Sequence, residues 1–275
     1  MAELRIATFN TLFGGRDDDG YGDDRRWQQQ ARFLRSLEAD AYALQECNVW
    51  DALGGRRLHQ ARRQLGMTSA FLAFANETTT GHRFHTAMLF GPRLSVLAED
   101  GDGARYHHVL GWATVEVDGD PAPWAFRNVH LDPFDPLNRA REVQPLQTLA
   151  DPGRRSVVLG DFNNLGFGHP EPNWAPLPPH LRNAQLGLAE PRSAQRTAMD
   201  LLEAAGFTDV AHASGDDRFT GGFGAGDVPR RQDLVLLSPA LASAVVGYEV
   251  HDDPVTDGFS DHAAVVVTID LDRIA

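Results

Sequence analysis

The sequence predicts a single α/β domain, and three observations carry that reading. Short β-forming segments outnumber helical ones. Amphipathic helical segments lie between them. Several apolar segments end on polar residues for which a core has no use, namely Asn10, Glu46, His130 and Asp161. Across 275 residues no repeat, low-complexity tract or long linker marks a boundary, so one domain over 1–275 is expected. At 42% hydrophobic and 23% charged, the composition is globular and sufficient for a sizeable core.

Leu4 to Asn10 alternates apolar residues among β-formers and is stopped by Gly14-Gly15, which predicts a first strand. An acidic, Gly-rich loop, Arg16 to Asp24, follows. Trp27, Ala31, Leu34 and Leu37 then recur at helical spacing, with Asp24 available as N-cap. Asp40 to Glu46 is too brief for a helix and reads as a second strand. Further strands are expected at Ser69–Ala75, Phe84–Phe90, Trp112–Val117, Trp124–His130, Ser156–Asp161, Leu234–Leu237 and Ala263–Ile269. Helices are expected at Arg56–Leu65, at Leu137–Leu149 where Pro145 must kink or divide it, and at Ala198–Ala205 closed by Gly206. Thr197 with Asp200 has the spacing of a capping box. Leu165 to Pro191 holds six prolines and little periodicity, and is expected to be a long functional insertion.

The net charge of −13 (25 Lys+Arg against 38 Asp+Glu) repels polyanions and disfavours long nucleic acid as a partner. A nuclease is not excluded, because acids gathered around a bound cation invert the local field. The single cysteine, Cys47, has no internal disulfide partner, and the N-terminal MAELRIATFN has neither the basic nor the apolar region of a signal peptide. A cytoplasmic protein is expected. No apolar run approaches the roughly 18 residues of a membrane span.

The chemistry collects at the strand ends, where a rigid scaffold can hold catalytic groups in register. In VVLGDFNN, strand alternation would turn Asp161 and Asn163 to one face, offering a carboxylate to orient or deprotonate a water and an amide to donate to a phosphoryl oxygen. The plain alternative is a turn whose polar side chains satisfy backbone groups. In SDHAAVVV, Asp261 and His262 precede an apolar strand, and the histidine suits proton transfer or a phosphate contact. His130 closes the strand of RNVHLDP and Asp233 opens that of QDLVLL. Alone, each of these is more simply a satisfied polar residue or a turn.

Together they run in one order: TFN, LQE, NVHL, GDFNN, RQDLVLL and SDH. That order resembles the endonuclease/exonuclease/phosphatase superfamily from Ile6 to Val267. The family includes deoxyribonuclease-like nucleases, abasic-site endonucleases, sphingomyelinases and inositol-polyphosphate phosphatases. The resemblance implies a four-layered α/β sandwich, with two packed mixed β-sheets flanked by helices and a cleft at one edge. It implies metal-dependent phosphoester hydrolysis through a pentacovalent phosphorus. Glu46 would be the main ligand of a divalent cation, with Asn10 and Asp261 near the same ion, and hard oxygen donors suit Mg²⁺ or Mn²⁺. Asp161 would orient or deprotonate the water. Asn163 and His130 would hold the phosphoryl oxygens, His262 would contact the phosphate opposite the water, and Asp233 would fix its ring. Arg141 and Gln144 match the family's RxxQ pattern and are expected to be structural.

A phosphodiesterase or phosphatase acting on a small-molecule, nucleotide or lipid-headgroup phosphoester is the leading expectation. The alternatives are a DNA or RNA nuclease of the same fold, for which Arg56, Arg57, Arg62 and Arg63 on one predicted helix could form a basic strip, and a non-hydrolytic biosynthetic or binding role. His85, His107 and His108 could extend the site, although surface-loop histidines are the plainer reading. The insertion, with Phe167, His169 and Trp174, is placed by sequence to act as a lid, unless its aromatic residues only pin it to the body.

Overall fold

The computed structural model describes residues 3–16, 24–187 and 192–274. Twelve strands are found among them: β1 (Glu3–Asn10), β2 (Ala41–Gln45), β3 (Ser69–Ala73), β4 (Thr86–Phe90), β5 (Leu94–Asp102), β6 (Leu110–Val117), β7 (Trp124–His130), β8 (Arg155–Asp161), β9 (Thr208–Asp209), β10 (Asp233–Leu237), β11 (Val245–His251) and β12 (Ala264–Asp270). They form two six-stranded sheets, ordered β11-β12-β1-β2-β4-β3 and β5-β6-β7-β8-β10-β9. Each sheet is mixed. β1 runs parallel to β2 but antiparallel to β12, and β7 runs parallel to β8, which is antiparallel to β10.

Strand alternation builds the layers. Leu4 and Ile6 of β1, Phe126 of β7, Leu159 of β8 and Val235 of β10 meet between the sheets. Ala7, Phe9, Tyr42 and Leu44 face the other way, toward Trp27 and Leu34 of the helix Arg25–Ser36. Val129, Val158, Leu234 and Leu236 pack on Val143, Met199 and Leu202 from the helices Pro136–Val143 and Thr197–Ala205. The result is the expected helix, sheet, sheet, helix sandwich. Each fully buried Leu, Ile or Phe in these layers contributes about 1.5–3 kcal/mol.

The same alternation sets out the site. On the inter-sheet face, β1 continues from Leu4 and Ile6 to Thr8 and Asn10, β7 from Phe126 to Asn128 and His130, and β8 from Leu159 to Asp161. The inter-sheet core therefore turns polar at one end. There Gln45 Nε2 donates to Thr8 Oγ1 at 3.0 Å and to Asn128 Oδ1 at 2.7 Å, and Asn128 Nδ2 donates to the carbonyls of Leu44 at 3.0 Å and Ala87 at 2.9 Å. These bonds latch the sheets together just below the strand ends.

Several expectations need correction. β5 and β11 were not expected because both are edge strands whose exposed or half-buried residues carry little alternation. The helix Ala52–Gln64 is regular only from Arg56 onward, since Leu53, Gly54 and Gly55 hold φ of 53°, 66° and 74°. Its arginines do not make a strip. Arg56 and Arg63 are exposed, whereas Arg57 is buried, 5.3 Å from the centre of the Trp27 ring and paired with Asp24. The capping box does not form, because Thr197 is the first helical residue and its Oγ1 donates to Gln195 Oε1 at 2.6 Å. Pro145 divides its segment as expected, into a helix to Val143 and a 3₁₀ turn from Gln144 to Ala150. Within it the buried polar pair is Arg139 and Glu142, while Arg141 and Gln144 are exposed. Glu142 accepts from the N–H groups of His107 and Asp132, and Arg139 donates to the carbonyls of Asp132 and Ala184. Among the described residues no helix is long and apolar enough to cross a membrane.

Candidate active site

The polar end of the inter-sheet layer opens into a cavity of about 830 Å³ whose floor includes Glu46, His130, Asp161, Asn163 and His262. Asp161 is its hub. Oδ1 accepts from the backbone N–H of Asn163 at 2.9 Å, and Oδ2 accepts from Asn10 Nδ2 at 3.2 Å. His130 Nε2 lies 3.7 Å and His262 Nε2 3.8 Å from that same Oδ2. Asp233 Oδ2 lies 2.9 Å from His262 Nδ1, which fixes the ring and leaves Nε2 facing Asp161.

Glu46 is positioned by backbone geometry. It stands one residue beyond β2 with φ of 55°, a left-handed conformation costly for a side-chain-bearing residue and typical of over-determined functional positions. Its Oε1 accepts from Asn10 Nδ2 at 3.2 Å and its Oε2 from the Phe13 N–H at 3.0 Å. Asn163 is also left-handed, with φ of 48°, so strand alternation past Asp161 does not place it. Its Nδ2 donates to the Leu131 carbonyl at 2.9 Å.

Electrostatics separates these groups. Burial pushes Glu46 up to about 7, with the Asp261 charge adding to the rise and the Phe13 N–H, His262 and Asn10 opposing it. Burial alone would lower His262, but the carboxylates of Asp233, Asp161 and Asp261 outweigh it and hold the ring well above its ordinary value, so it is cationic at neutral pH. Burial, with the positive charges of His262 and His107, drops His130 to about 3 and keeps it neutral.

A divalent cation fits this donor set. Glu46 is a half-buried carboxylate whose hydrogen bonds come from the Asn10 amide and the Phe13 N–H, and Asp261 Oδ1 is buried with no hydrogen-bond partner among the described residues. One oxygen or nitrogen from each of Asp161, Asp233 and His262 also falls within 4.8 Å of the others. A protonated imidazole does not ligate a metal, however, and His262 Nδ1 is already held by Asp233. Asn10 is expected near the same ion. Its Oδ1 accepts from the Leu12 N–H at 3.1 Å, and its amide nitrogen is what faces Glu46 and Asp161.

The model of the endonuclease/exonuclease/phosphatase family matches residues 7–262, which spans all of these groups. The chain belongs to that family. The fold resembles an endonuclease/exonuclease/phosphatase from Beutenbergia cavernae, at a TM-score of 0.67 and 18% identity over 98% of this chain and 71% of that one. It resembles an AP endonuclease from Archaeoglobus fulgidus, with TM-score 0.65 and 18% identity over 97% and 99% of the two chains. It also resembles the endonuclease domain of TRAS1, a telomere-specific non-LTR retrotransposon, with TM-score 0.63 and 14% identity over 98% and 100%. At these identities the likeness bears on the fold. No curated protein matches the sequence.

In this member of the endonuclease/exonuclease/phosphatase family the cavity walls come from loops. Phe13, His82 and Phe84 pack ring to ring at 5.5 to 6.0 Å. Phe84 continues to His108 at 4.9 Å, and His108 lies 4.3 Å from His130. His108 is buried and therefore not a surface-loop histidine. His107 is half-buried, its Nδ1 3.3 Å from Asp132 Oδ2. His85 does not extend the site. It is buried behind it, and its Nδ1 accepts from the Ala75 N–H at 2.9 Å. The adjacent HH in RYHHVL was the only sequence signal for this wall.

The Pro-rich segment is not the lid of this cavity, since none of residues 165–187 lines it. Trp174 packs with Leu165, Leu177, Leu186 and Val228 in a small core of its own. Phe167 is buried against the second sheet's helices, and His169 Nε2 accepts from the Arg231 N–H at 3.4 Å. The aromatic residues pin the segment to the body.

Proposed function

We propose that the protein is a Mg²⁺- or Mn²⁺-dependent phosphodiesterase or phosphatase acting on a small-molecule, nucleotide or lipid-headgroup phosphoester. The observation that carries this reading is the meeting of His130 and the Asp233-held His262 on one oxygen of Asp161, beside the carboxylate of Glu46.

The chain's own groups divide the work. Asp161 takes the proton of the attacking water or aligns it, restrained by the Asn10 amide and the Asn163 N–H. His262, cationic and aimed by Asp233, faces the negative charge that grows on the phosphoryl oxygens. Neutral His130 and the second amide hydrogen of Asn163 supply further donors. Glu46 with Asp261 would hold the cation, which when bound polarises a phosphoryl oxygen.

Substrate size is argued from the walls. The cavity falls in the range that encloses a compact organic molecule, one side is aromatic, and Arg230 is the single Lys or Arg among the described residues that line it. A track of phosphates needs several such cations. Product release should be assayed on mononucleotides, sugar phosphates, headgroup diesters and single- and double-stranded DNA, with Mg²⁺, Mn²⁺ or EDTA. EDTA-sensitive turnover of a small ester is expected. Cleavage confined to DNA would make it a nuclease, and silence on every ester would remove the hydrolytic reading.

A further inference from the structure

The proposed reaction leaves part of the cavity lining unexplained. One such residue is Arg230, only 4% exposed. Its NH1 donates to Asp227 Oδ1 at 2.8 Å and to the Val228 carbonyl at 2.7 Å, but its Nε is buried with no partner among the described residues. Gln232, 2% exposed, lines the same cavity, and its Oε1 is likewise buried and unpartnered. Stranded donors and acceptors of this kind are costly, and a native structure keeps them where something else completes them.

The sequence places both side chains deliberately. Arg231, between them, points away from the cavity to form a fully buried pair with Asp209, which leaves positions 230 and 232 on the opposite side. The backbone here is fixed. The Thr220 and Gly221 N–H groups donate to the Arg230 carbonyl at 3.0 and 3.1 Å, and the Gln232 N–H donates to Thr220 Oγ1 at 3.0 Å. Gly222 holds φ of 80°, and a Cβ there would lie 2.8 Å from Arg230 NH1, so glycine is required for the guanidinium to occupy this position.

Arg230 also stands where the cavity meets a second hollow of about 310 Å³. Phe134, Asn163 and Asp227 line both as well. Space therefore continues from the catalytic floor past Arg230. Buried Arg139 lies close enough for its charge to oppose that of Arg230, although Asp132 and Glu142 act on Arg139 more strongly.

We propose a second subsite on Arg230 and Gln232 that takes an oxyanion, a phosphate or carboxylate, borne by the alcohol portion of the substrate. Arg230 donates its Nε–H to the oxyanion while Asp227, held on NH1, offsets part of the guanidinium charge, and Gln232 Oε1 accepts from a hydroxyl or protonated oxygen beside it. The inference deepens the proposed function by naming a substrate with two anionic groups.

Inorganic phosphate is the probe, titrated calorimetrically into the whole protein. Arg230→Gln should weaken one phosphate site at least tenfold, and that site should persist in His130→Gln. Asp227→Asn, which removes the offsetting carboxylate, should tighten it several-fold. An Arg230→Gln titration that matches wild type would overturn the subsite, as would loss of the same site in His130→Gln or unchanged binding in Asp227→Asn. A kinetic arm compares p-nitrophenyl phenyl phosphate with its analogue carrying a carboxylate on the phenyl ring. Arg230→Gln should lower the ratio of the two kcat/KM values about tenfold or more, and an unchanged ratio counts against the proposal. Should wild type hydrolyse neither ester, the hydrolytic reading suffers while the phosphate titration still decides the subsite.

Discussion

The floor and the walls of the cavity are built on different principles. The floor belongs to the sheets, since Asn10, His130, Asp161 and Asp233 each extend or open a strand whose register also buries the core. The walls belong to loops, where Phe13, His82, Phe84 and His108 are held chiefly by one another. Floor positions cannot shift without disturbing the fold, whereas the wall rings rest on contacts between loops. The contrast separates chemistry from recognition, and substitutions can test it.

The largest effect is expected on the floor. Asp161→Asn should lower kcat by about 10²- to 10⁴-fold with the fold retained, because it removes the hub to which both histidines and Asn10 point. A variant that turns over like wild type would break the distinction at its strongest point. Glu46→Ala should come next, shifting the Mg²⁺ or Mn²⁺ dependence of activity to higher metal concentration, and an unchanged metal titration removes Glu46 as ligand.

Beneath the floor, Asn128→Leu would remove the side-chain donor to the Leu44 and Ala87 carbonyls and one of the acceptors of the Gln45 amide. At about 1–3 kcal/mol for each buried group that loses a partner, denaturant unfolding should show one of the larger losses for any single change. On the walls, Phe84→Ala should raise KM roughly two- to tenfold and leave kcat close to wild type, the range for one lost aromatic contact. A kcat collapse there would mean that walls and floor act as one unit.

The smallest effect is one of stability against pH. Burial would raise Asp132, but hydrogen bonds from His107, from the N–H groups of Phe134 and Asp135 and from Asn138 outweigh it and hold the carboxyl well below the usual range. A depressed carboxyl stabilises the fold above its unfolded value of about 3.9, and that stability is lost as pH falls toward the folded value. Below about pH 4, wild type should lose stability more steeply than Asp132→Asn in acid-unfolding curves.

What the sequence revealed follows the same division. Asn10, Glu46, His130, Asp161, Asp233 and His262 were legible because each breaks an apolar strand pattern at its end. β5 and β11 were not, since an edge strand with solvated faces loses that pattern. The walls were illegible for another reason. His82 and Phe84 approach Phe13, from a loop some seventy positions earlier in the chain, and no local periodicity records a contact between loops. Arg141 and Gln144, expected to be structural, are exposed, and Arg139 and Glu142 are the buried pair, a matter of helical phase set by the loop that the helix must anchor.

The pairing of β1 with β12, Glu3 against Asp270, has a consequence for biogenesis. A ribosome delivers Asn10 and Glu46 early, but the strand that flanks β1 emerges only with residues 264–270, directly after His262. Until then the first sheet has an uncovered edge, and long-range pairing of this kind is slow and exposed to misassociation. Residues 262–270 thus complete the sheet and the candidate site together, so recovery of turnover during refolding should report pairing of β12 rather than early collapse.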